Sequence, residues 1–265
     1  MQFDFGKNWA DYSAHALNAQ RVREAREAFE ALLAPAGGVR GKRFLDIGFG
    51  QGLGLLSARA IGADVVGIDI NPTCGEVLRR NAAWFPEVRA VDFPVIIGSI
   101  LDAHVVERAR AASAGGAGYD IVHSWGVLHH TGDMERAVRN AASLVRTGGH
   151  FVVALYNRHW SSLSWRAIKF AYCKSPALVQ RSMVAALTPV IYLAKWLATG
   201  KDPRRQARGM DFMYDVVDWV GGYPYEYASR DEVLAMIEPL GFRCVACVAS
   251  EVPTGCNQFV FERAR

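Results

Sequence analysis

The chain has 265 residues, 51% apolar and 21% charged, which is ordinary for a soluble globular protein with one large domain and an elaboration. The net charge of +4 is unevenly placed. Residues 158–208 contain ten Lys or Arg side chains against one acid, Asp202, so this segment carries +9 and the remainder −5. The first thirteen residues show no basic region followed by an apolar run, so we expect no signal peptide.

A helix is predicted ahead of the main fold, within an N-terminal helical segment at residues 1–40. Residues 13–33 place their apolar side chains near one helical stripe: Leu17, Val22, Ala25, Phe29 and Leu32. The run APAGGVRG at residues 34–41 then ends the pattern and leads into the first strand. We expect this helix either to pack on the edge of a sheet or to close over a bound ligand.

Residues 44–54, FLDIGFGQGLG, predict a buried strand followed by a ligand-binding turn. Apolar side chains surround Asp46 in the strand, and glycines then occupy alternate positions, namely Gly48, Gly50, Gly52 and Gly54. Because glycine has no Cβ, the backbone can turn tightly there and pass close to a ligand. The next segment predicts a helix that ends at Gly62 and presents its N-terminus to that ligand.

A second apolar strand, VVGIDINP at residues 65–72, ends in Asp69. An acid at this position can accept both hydroxyls of a ribose, which predicts a nucleoside-bearing cofactor. The dinucleotide fingerprint G-x-G-x-x-G fails, because Leu53 or Leu55 stands where the third glycine is required. Asp46 would repel a pyrophosphate, whereas it would attract the ammonium and sulfonium groups of S-adenosylmethionine.

Strands and helices continue to alternate along the chain. Further strands are predicted at residues 94–99, 120–124 and 150–157, and helices at 74–85, 103–113 and 134–145. Ser229 and Glu232 form a capping-box pattern that opens a last helix. Two final strands, at residues 242–250 and 257–263, are joined as a hairpin. This alternation predicts a doubly wound α/β fold with a parallel sheet.

These motifs, in this order, resemble class I S-adenosylmethionine-dependent methyltransferases, whose first motif is an acid two places before G-x-G-x-G. The resemblance covers residues 43–157 well and residues 229–262 in outline. The run SWGVLHHTGDM at residues 124–134 is similar to small-molecule O-methyltransferases, including those of quinone biosynthesis. The resemblance implies a single domain over residues 1–265. Its Rossmann-like sheet would have seven mostly parallel strands, the last one antiparallel.

The same resemblance implies S-adenosylmethionine as the cofactor and assigns its contacts to Asp46, Gly48, Phe49, Gly50, Gly52, Asp69, Ile70, Ser99, Ile100 and Ser124. Members often have an acid where Ser99 stands, which contacts the adenine amino group. A hydroxyl at Ser99 can still form a hydrogen bond. A helix ahead of the fold often closes over the cofactor in this class, which would place Trp9 or Tyr12 near it.

About seventy residues, 158–228, separate the fifth strand from the last helix, and the fold does not require them. A structureless loop of this length is improbable, so we predict a helical cap over the acceptor, inserted after the fifth strand. The apolar stretch at residues 183–198 is interrupted by Pro189 and Lys195 and is too short to span a bilayer. Aromatic and basic neighbours suit a membrane interface, a lid over an apolar acceptor, or a helix buried against the core. Residues 158–208 are therefore a candidate contact with a membrane or an anionic substrate.

His129 and His130 follow the fourth strand and are the candidate catalytic residues, because a hydroxyl acceptor benefits from a base with a near-neutral pKa. The alternative is that they cap the following turn or bond to the backbone. Three acids lie at helical spacing and could bind a metal ion: Asp211, Asp215 and Asp218. We predict instead that they form a solvated helix face whose negative charge balances the basic stretch, and that the chain has no metal site. Candidate acceptor contacts are Tyr12, Trp125, Tyr223 and Tyr225.

Missing motifs narrow the substrate class. No N-P-P-Y or D-P-P-Y follows the fourth strand, and neither a Pro-Cys nucleophile nor the glutamate pair of protein arginine methylation is present. We therefore predict a methyltransferase for a small molecule, at a hydroxyl oxygen. The basic insertion leaves an RNA or protein methyltransferase as an alternative, although we do not expect nucleic acid as a partner. A dehydrogenase or a non-catalytic nucleotide-binding module is the second alternative.

The five cysteines are scattered and odd in number, which fits a reducing cytoplasm. Cys244 and Cys247 form a C-x-x-C pair on a predicted strand, where alternate side chains point to opposite faces. We predict that they are buried apolar residues rather than metal or redox ligands.

Overall fold

A seven-stranded sheet forms the centre of the protein. The computed structural model describes residues 2–205 and 209–264. Its strands, in the order β3-β2-β1-β4-β5-β7-β6, are β1 (Arg43–Ile47), β2 (Asp64–Asp69), β3 (Val95–Ile97), β4 (Tyr119–Trp125), β5 (Val145–Tyr156), β6 (Phe242–Val248) and β7 (Cys256–Arg263). The first five strands pair in parallel, and β7 runs antiparallel to both β5 and β6. The predicted Rossmann-like fold is confirmed.

Within the described residues, ten α-helices accompany the sheet: α1 (Phe5–His15), α2 (Ala19–Leu33), α3 (Leu53–Ile61), α4 (Thr73–Asn81), α5 (Ala103–Ala112), α6 (Met134–Ser143), α7 (Ser162–Lys174), α8 (Ala177–Thr199), α9 (Phe212–Gly221) and α10 (Arg230–Ile237). Alternate side chains of β1 fill two separate cores. Phe44 packs with α2 and α3, whereas Leu45 and Ile47 pack with α5, α6 and α10. The strand order reverses between β1 and β4, where ligands bind in such sheets.

The N-terminal segment contains two helices where the sequence predicted one. Asn18 interrupts the pattern, because its backbone is extended and its side chain accepts a hydrogen bond from the Arg21 N–H at 3.0 Å. Asparagine is a strong N-cap, so a new helix starts after it. The preceding helix, α1, starts earlier than expected, after Asp4, whose carboxylate accepts from the Lys7 N–H at 3.1 Å.

The final hairpin corrects the prediction for the C-x-x-C pair. The register between β6 and β7 shifts between Cys244 and Ala246, so Cys244 lies opposite Phe261 and Cys247 lies opposite Phe259. A bulge adds one residue to its strand and so reverses the alternation of faces. Both cysteines therefore lie on the same face, half-buried against the core, and each is a free thiol.

Helices α7, α8 and α9 form the insertion after β5, as predicted, around a small apolar cluster that includes Tyr172, Ile191 and Val216. Pro189 lies inside α8 without ending it, so the helix extends over 23 residues, Ala177–Thr199. This helix is long and apolar enough to cross a membrane by length and composition. The expectation that the stretch is too short to span a bilayer is therefore wrong.

Candidate functional site

A cavity of about 1260 Å³ opens at the carboxyl edge of the sheet. The last residues of four parallel strands line it: Ile47, Asp69, Trp125 and Tyr156. Helices α1, α2, α8 and α9 and the β6–β7 connection supply the other walls. Because one small ligand usually occupies roughly 300–1,000 Å³, this cavity has room for two ligands side by side.

The glycine loop forms one wall through backbone shapes that other residues avoid. Gly48 and Gly50 have φ angles of +73° and +54°. A Cβ atom on Gly48 would lie 2.4 Å from the side chain of Val127, and one on Gly50 would lie 3.3 Å from the Trp9 Nε1. The loop therefore requires glycine at both positions, and Trp9 of α1 lies over it.

Asp69 holds the glycine loop through its own carboxylate. Its Oδ2 accepts the Gly50 N–H at 2.9 Å, and its Oδ1 accepts the Asn71 N–H at 2.9 Å. Burial raises the pKa of Asp69, and these two backbone hydrogen bonds oppose that rise. The Cys74 thiol also hydrogen-bonds this carboxylate. About one lone pair of the group therefore remains to accept a hydroxyl from a ligand in the cavity.

Asp46 is buried and paired with a histidine that the sequence analysis missed. His123 lies opposite Asp46 in the parallel pairing of β1 and β4, and its Nδ1 is 2.7 Å from Asp46 Oδ1. Both residues line the cavity, and His123 Nε2 has no hydrogen-bond partner within the described part of the chain. A histidine directly after the apolar pair Ile121 and Val122 of the fourth strand was the signal that could have revealed it.

The cavity wall contains most of the residues predicted to bind the cofactor, together with one candidate acceptor contact and one candidate catalytic residue: Asp46, Gly48, Phe49, Gly50, Asp69, Ile70, Ser99, Ile100, Trp125 and His130. Ser99 and Ile100 follow β3, at the same carboxyl edge as the glycine loop. The structure thus brings the carboxyl ends of β1, β2 and β3 together around one cavity.

Two residues predicted to contact the cofactor lie outside the wall, because each has a structural role. The Ser124 hydroxyl is fully buried and donates to the Ile47 carbonyl at 2.9 Å. Gly52 is the N-cap of α3 with φ +81°, and a Cβ atom there would lie 2.3 Å from Leu78. Both residues therefore contact neighbouring parts of the protein rather than the cavity.

Three tyrosines predicted to contact the acceptor also lie outside the wall. Tyr12 is fully buried, and its hydroxyl donates to the Gly209 carbonyl. Tyr225 is buried with its ring 5.3 Å from that of Tyr156. Tyr223 packs its ring 5.5 Å from Phe170 of α7. Trp125 is the only one of the four predicted acceptor contacts that lines the described cavity.

The two candidate histidines have different environments. Tyr156 N–H donates to His129 Nδ1 at 3.3 Å, which places the proton of His129 on a buried Nε2 that has no partner among the described residues. His130 lines the cavity, and its Nδ1 donates to the Pro224 carbonyl at 2.6 Å, which leaves Nε2 with the lone pair. Burial lowers the pKa of His129 well below its usual value and that of His130 to about 3.

Asp218 of α9 supplies a half-buried carboxylate to the same cavity. Asn8 of α1 donates to Asp218 Oδ1 at 2.8 Å. Burial raises the pKa of Asp218 to about 8, and the Asn8 hydrogen bond opposes that rise. Lys169, fully buried nearby, donates to the Trp219 carbonyl and lies 4.2 Å from the centre of the Trp219 ring. Burial lowers the pKa of this lysine to about 7.

The predicted solvated face of acids on α9 is therefore wrong. Asp211 caps the helix and pairs with Arg21 at 2.7 Å, and Asp215 pairs with Lys195. Asp218 lines the cavity, and α1, α7 and α8 all pack against the helix that carries it. Within residues 2–205 and 209–264, no group of three or more His, Cys, Asp or Glu side chains is arranged to hold a metal ion.

Comparison with known proteins identifies the family. A family described as "Methyltransferase domain" matches residues 17–209, which include the glycine loop, Asp46, Asp69 and His130. The chain belongs to this family. The methyltransferase resemblance drawn from the sequence is confirmed, and the dehydrogenase alternative is not supported.

Named relatives of this methyltransferase include two ubiquinone biosynthesis O-methyltransferases. The protein from Vibrio campbellii is 32% identical over 159 residues, and that from Vibrio vulnificus (strain YJ016) is 28% identical over 159 residues. Each match spans 60% of this chain and 62% of the relative, so it covers less than two thirds of the relative's length.

Solved structures share the fold of the methyltransferase. The magnesium protoporphyrin IX methyltransferase of Synechocystis PCC 6803, with bound SAH, has a TM-score of 0.55 at 14% identity and covers 97% of this chain and 94% of its own. The CcbJ methyltransferase of Streptomyces caelestis has a TM-score of 0.55 at 18% identity, covering 98% of both chains. At these identities the likeness establishes the fold alone.

Proposed function

We propose that the protein methylates a hydroxyl oxygen on an apolar small molecule, with S-adenosylmethionine as the methyl donor. The observation that carries this proposal is one cavity with two chemically different ends. The glycine loop and Asp69 form one end, and Trp165, Ile191 and Trp219 of the insertion form the other. The relatives are ubiquinone biosynthesis O-methyltransferases, and this supports an oxygen acceptor.

The residues at the loop end fit the cofactor of this family. A Cβ atom at Gly48 would clash with Val127, so the loop keeps its shape only with glycine there. Asp69 has a lone pair left for a ribose hydroxyl, and His123 Nε2 is a buried polar atom without a partner in the described chain. When bound, S-adenosylmethionine supplies a methyl group on a sulfonium for in-line displacement. Trp9 covers the loop and would exclude water from that end.

Several titratable side chains line the cavity, and of the two that we compare as the base for the acceptor hydroxyl, Asp218 and His130, we favour Asp218. A useful base has a pKa near the working pH. Burial raises the pKa of Asp218 to about 8, whereas burial lowers the pKa of His130 to about 3, which makes His130 a weak base. We assign proton removal to Asp218 and orientation of the acceptor hydroxyl to His130 Nε2. His129, whose lone pair is used by the backbone, has neither role.

The RNA or protein alternative depended on the basic insertion, and that argument is weaker in three dimensions. Arg158, Lys195, Lys201 and Arg204 each pair with an acidic side chain. Lys169 is buried. A continuous cationic surface for a polyanion is therefore interrupted by acids. The cytoplasmic location and the division into one domain with a cap over the acceptor remain proposals.

A methyl-donor assay with a panel of acceptors tests the function. We expect transfer to amphiphilic phenols and alcohols, and loss of transfer when the same compound carries a methyl ether at that oxygen. Matched amines of the same carbon skeleton serve as controls and should react at least about tenfold more slowly, because a site arranged for one polar group discriminates strongly. Methylation of amines alone, or of RNA or protein alone, would refute the proposal.

A further inference from the structure

The insertion carries an exposed apolar surface. Of the fifteen large apolar side chains that are most exposed in the described chain, ten lie between residues 160 and 213. Trp160 is 86% exposed, Leu178 76% and Leu197 69%. We call the outer surfaces of α7 and α8 the docking face. Exposed apolar area gathered in one region marks an interaction site more often than a solvated surface.

Helix α8 is apolar on both of its sides. Along its outer side, exposed residues recur at helical intervals: Val179, Ala186, Val190, Leu193 and Leu197. Its inner side packs on α9, with Ile191 in the cluster that also contains Phe212 and Val216. A helix on the surface of a globular domain normally presents charged residues to water. The apolar outer side of α8 therefore implies a partner that is itself apolar.

The unpaired charges around the docking face are all positive. Neither α7 nor α8 contains an Asp or Glu residue. Arg166, Lys174 and Arg181 are exposed. Arg166 interacts electrostatically with Glu226, whereas Lys174 and Arg181 form no ion pair within residues 2–205 and 209–264. Lys174 Nζ lies 5.8 Å from the centre of the Phe170 ring, so a cation lies beside an exposed aromatic side chain on this surface. Apolar side chains beside free cations are complementary to a bilayer with anionic headgroups.

We propose that the docking face binds the surface of an anionic phospholipid bilayer, with α8 lying in the interface. The helix does not span the bilayer in this arrangement. Its inner side is occupied by α9, and the ion pair of Lys195 with Asp215 ties it to that helix. A membrane-spanning α8 would lose its packing on α9 and its ion pair with Asp215, and would place the charge of Lys195 in the hydrocarbon of the bilayer.

The cavity opens on the same face. Val190, Ala194 and Ala198 are exposed and also line the cavity wall. A bilayer bound to the docking face would therefore lie at the mouth of the site. Provided that the proposed function holds, this arrangement suits an acceptor that partitions into lipid, because such a molecule can enter the cavity without crossing water.

Vesicle co-sedimentation of the full chain tests the docking face independently of any acceptor. We expect binding to vesicles of phosphatidylcholine with roughly one third phosphatidylglycerol, and little binding to phosphatidylcholine alone. Raising the salt from about 50 mM to about 500 mM should weaken the binding several-fold, since the free cations are exposed and are screened. Absence of binding to the anionic vesicles at low salt would overturn the proposal.

Two pairs of variants localise the contact. Leu193→Glu with Leu197→Glu, and separately Lys174→Glu with Arg181→Glu, should each weaken vesicle binding by at least about tenfold. Calorimetric binding of S-adenosylhomocysteine should be retained, because none of these four side chains lines the cavity. If the leucine variant fails to fold, vesicle binding by the charge variant tests the proposal, because Lys174 and Arg181 are both exposed.

Matched controls replace exposed side chains elsewhere. Trp84→Glu with Val245→Glu controls for the loss of exposed apolar side chains. Arg80→Glu with Arg89→Glu controls for the change in net charge. Both controls should bind vesicles as the parent protein does. Equal loss in the controls would refute the assignment to this face. A parent dimer dissociated by the leucine variant would mean that a second copy of the chain covers the face instead.

Discussion

Replacing Asp218 with asparagine should lower turnover by about 10²–10⁴-fold while S-adenosylmethionine affinity is kept, because removal of a positioned base costs that much. Asparagine has nearly the same shape, and its oxygen can still accept from Asn8, which donates to Asp218 Oδ1 at 2.8 Å. Steady-state kinetics with an acceptor identified from the panel, together with calorimetry for the cofactor, measure the two effects. Normal turnover in the variant would show that proton removal occurs elsewhere.

The pH profile separates Asp218 from His130. A base acts when deprotonated, so with its pKa raised to about 8 by burial, Asp218 should make kcat/KM rise with pH and level off above that value. His130, whose pKa burial lowers to about 3, is deprotonated throughout the neutral range and gives no such rise. The Asn8 hydrogen bond lowers the Asp218 pKa, so Asn8→Ala should move the rise to higher pH. A profile that is flat from pH 6 to 9 would contradict this assignment.

Replacing Asp69 with alanine should weaken S-adenosylmethionine binding by about 1.5–3 kcal/mol, the scale for losing hydrogen bonds to a charged group. The structure adds a second cause, because Asp69 also accepts the N–H groups of Gly50 and Asn71 and so holds the glycine loop. Asp69→Asn should lose less, since one acceptor oxygen survives. Calorimetric titration of folded protein measures both variants.

Asp64 provides the matched control for Asp69. It lies at the other end of β2, is exposed and is outside the cavity wall. Asp64→Ala should bind S-adenosylmethionine as the parent protein does. Equal weakening in both alanine variants would indicate a general loss of stability, and unchanged affinity in Asp69→Ala would remove the ribose assignment.

The strand, loop and helix around Gly48 could be predicted because they are contiguous in sequence. Residue type fixes local backbone shape: glycine permits the positive φ of the loop, and an apolar run bounded by an acid forms a buried strand that ends at Asp69. The same local logic predicted the capping box of Ser229 and Glu232, which the structure contains. The predicted direction of the Cys247 side chain was wrong, because the bulge before it depends on pairing with another strand.

The acceptor end of the site depended on contacts between distant parts of the chain. Asp218 and Asn8 are 210 positions apart, and the packing of α1, α7 and α8 against α9 creates the surroundings in which burial raises the pKa of this acid. Adjacent residues His129 and His130 are indistinguishable in sequence, yet the carbonyl of Pro224 and the N–H of Tyr156 give them opposite tautomers.

The sequence by itself determined the alternation of strands and helices, the glycine loop and the resemblance to the family, because periodicity and glycine positions act over a few neighbouring residues. Only the tertiary structure decided which charged side chains are exposed and which are buried or paired. Of the basic residues in the insertion, Lys169 is buried and Lys195 is paired, while Arg166 and Lys174 remain exposed. The physical reason is that the free energy of an ionisable group depends on its burial and its partners, and elements far away in the chain set both.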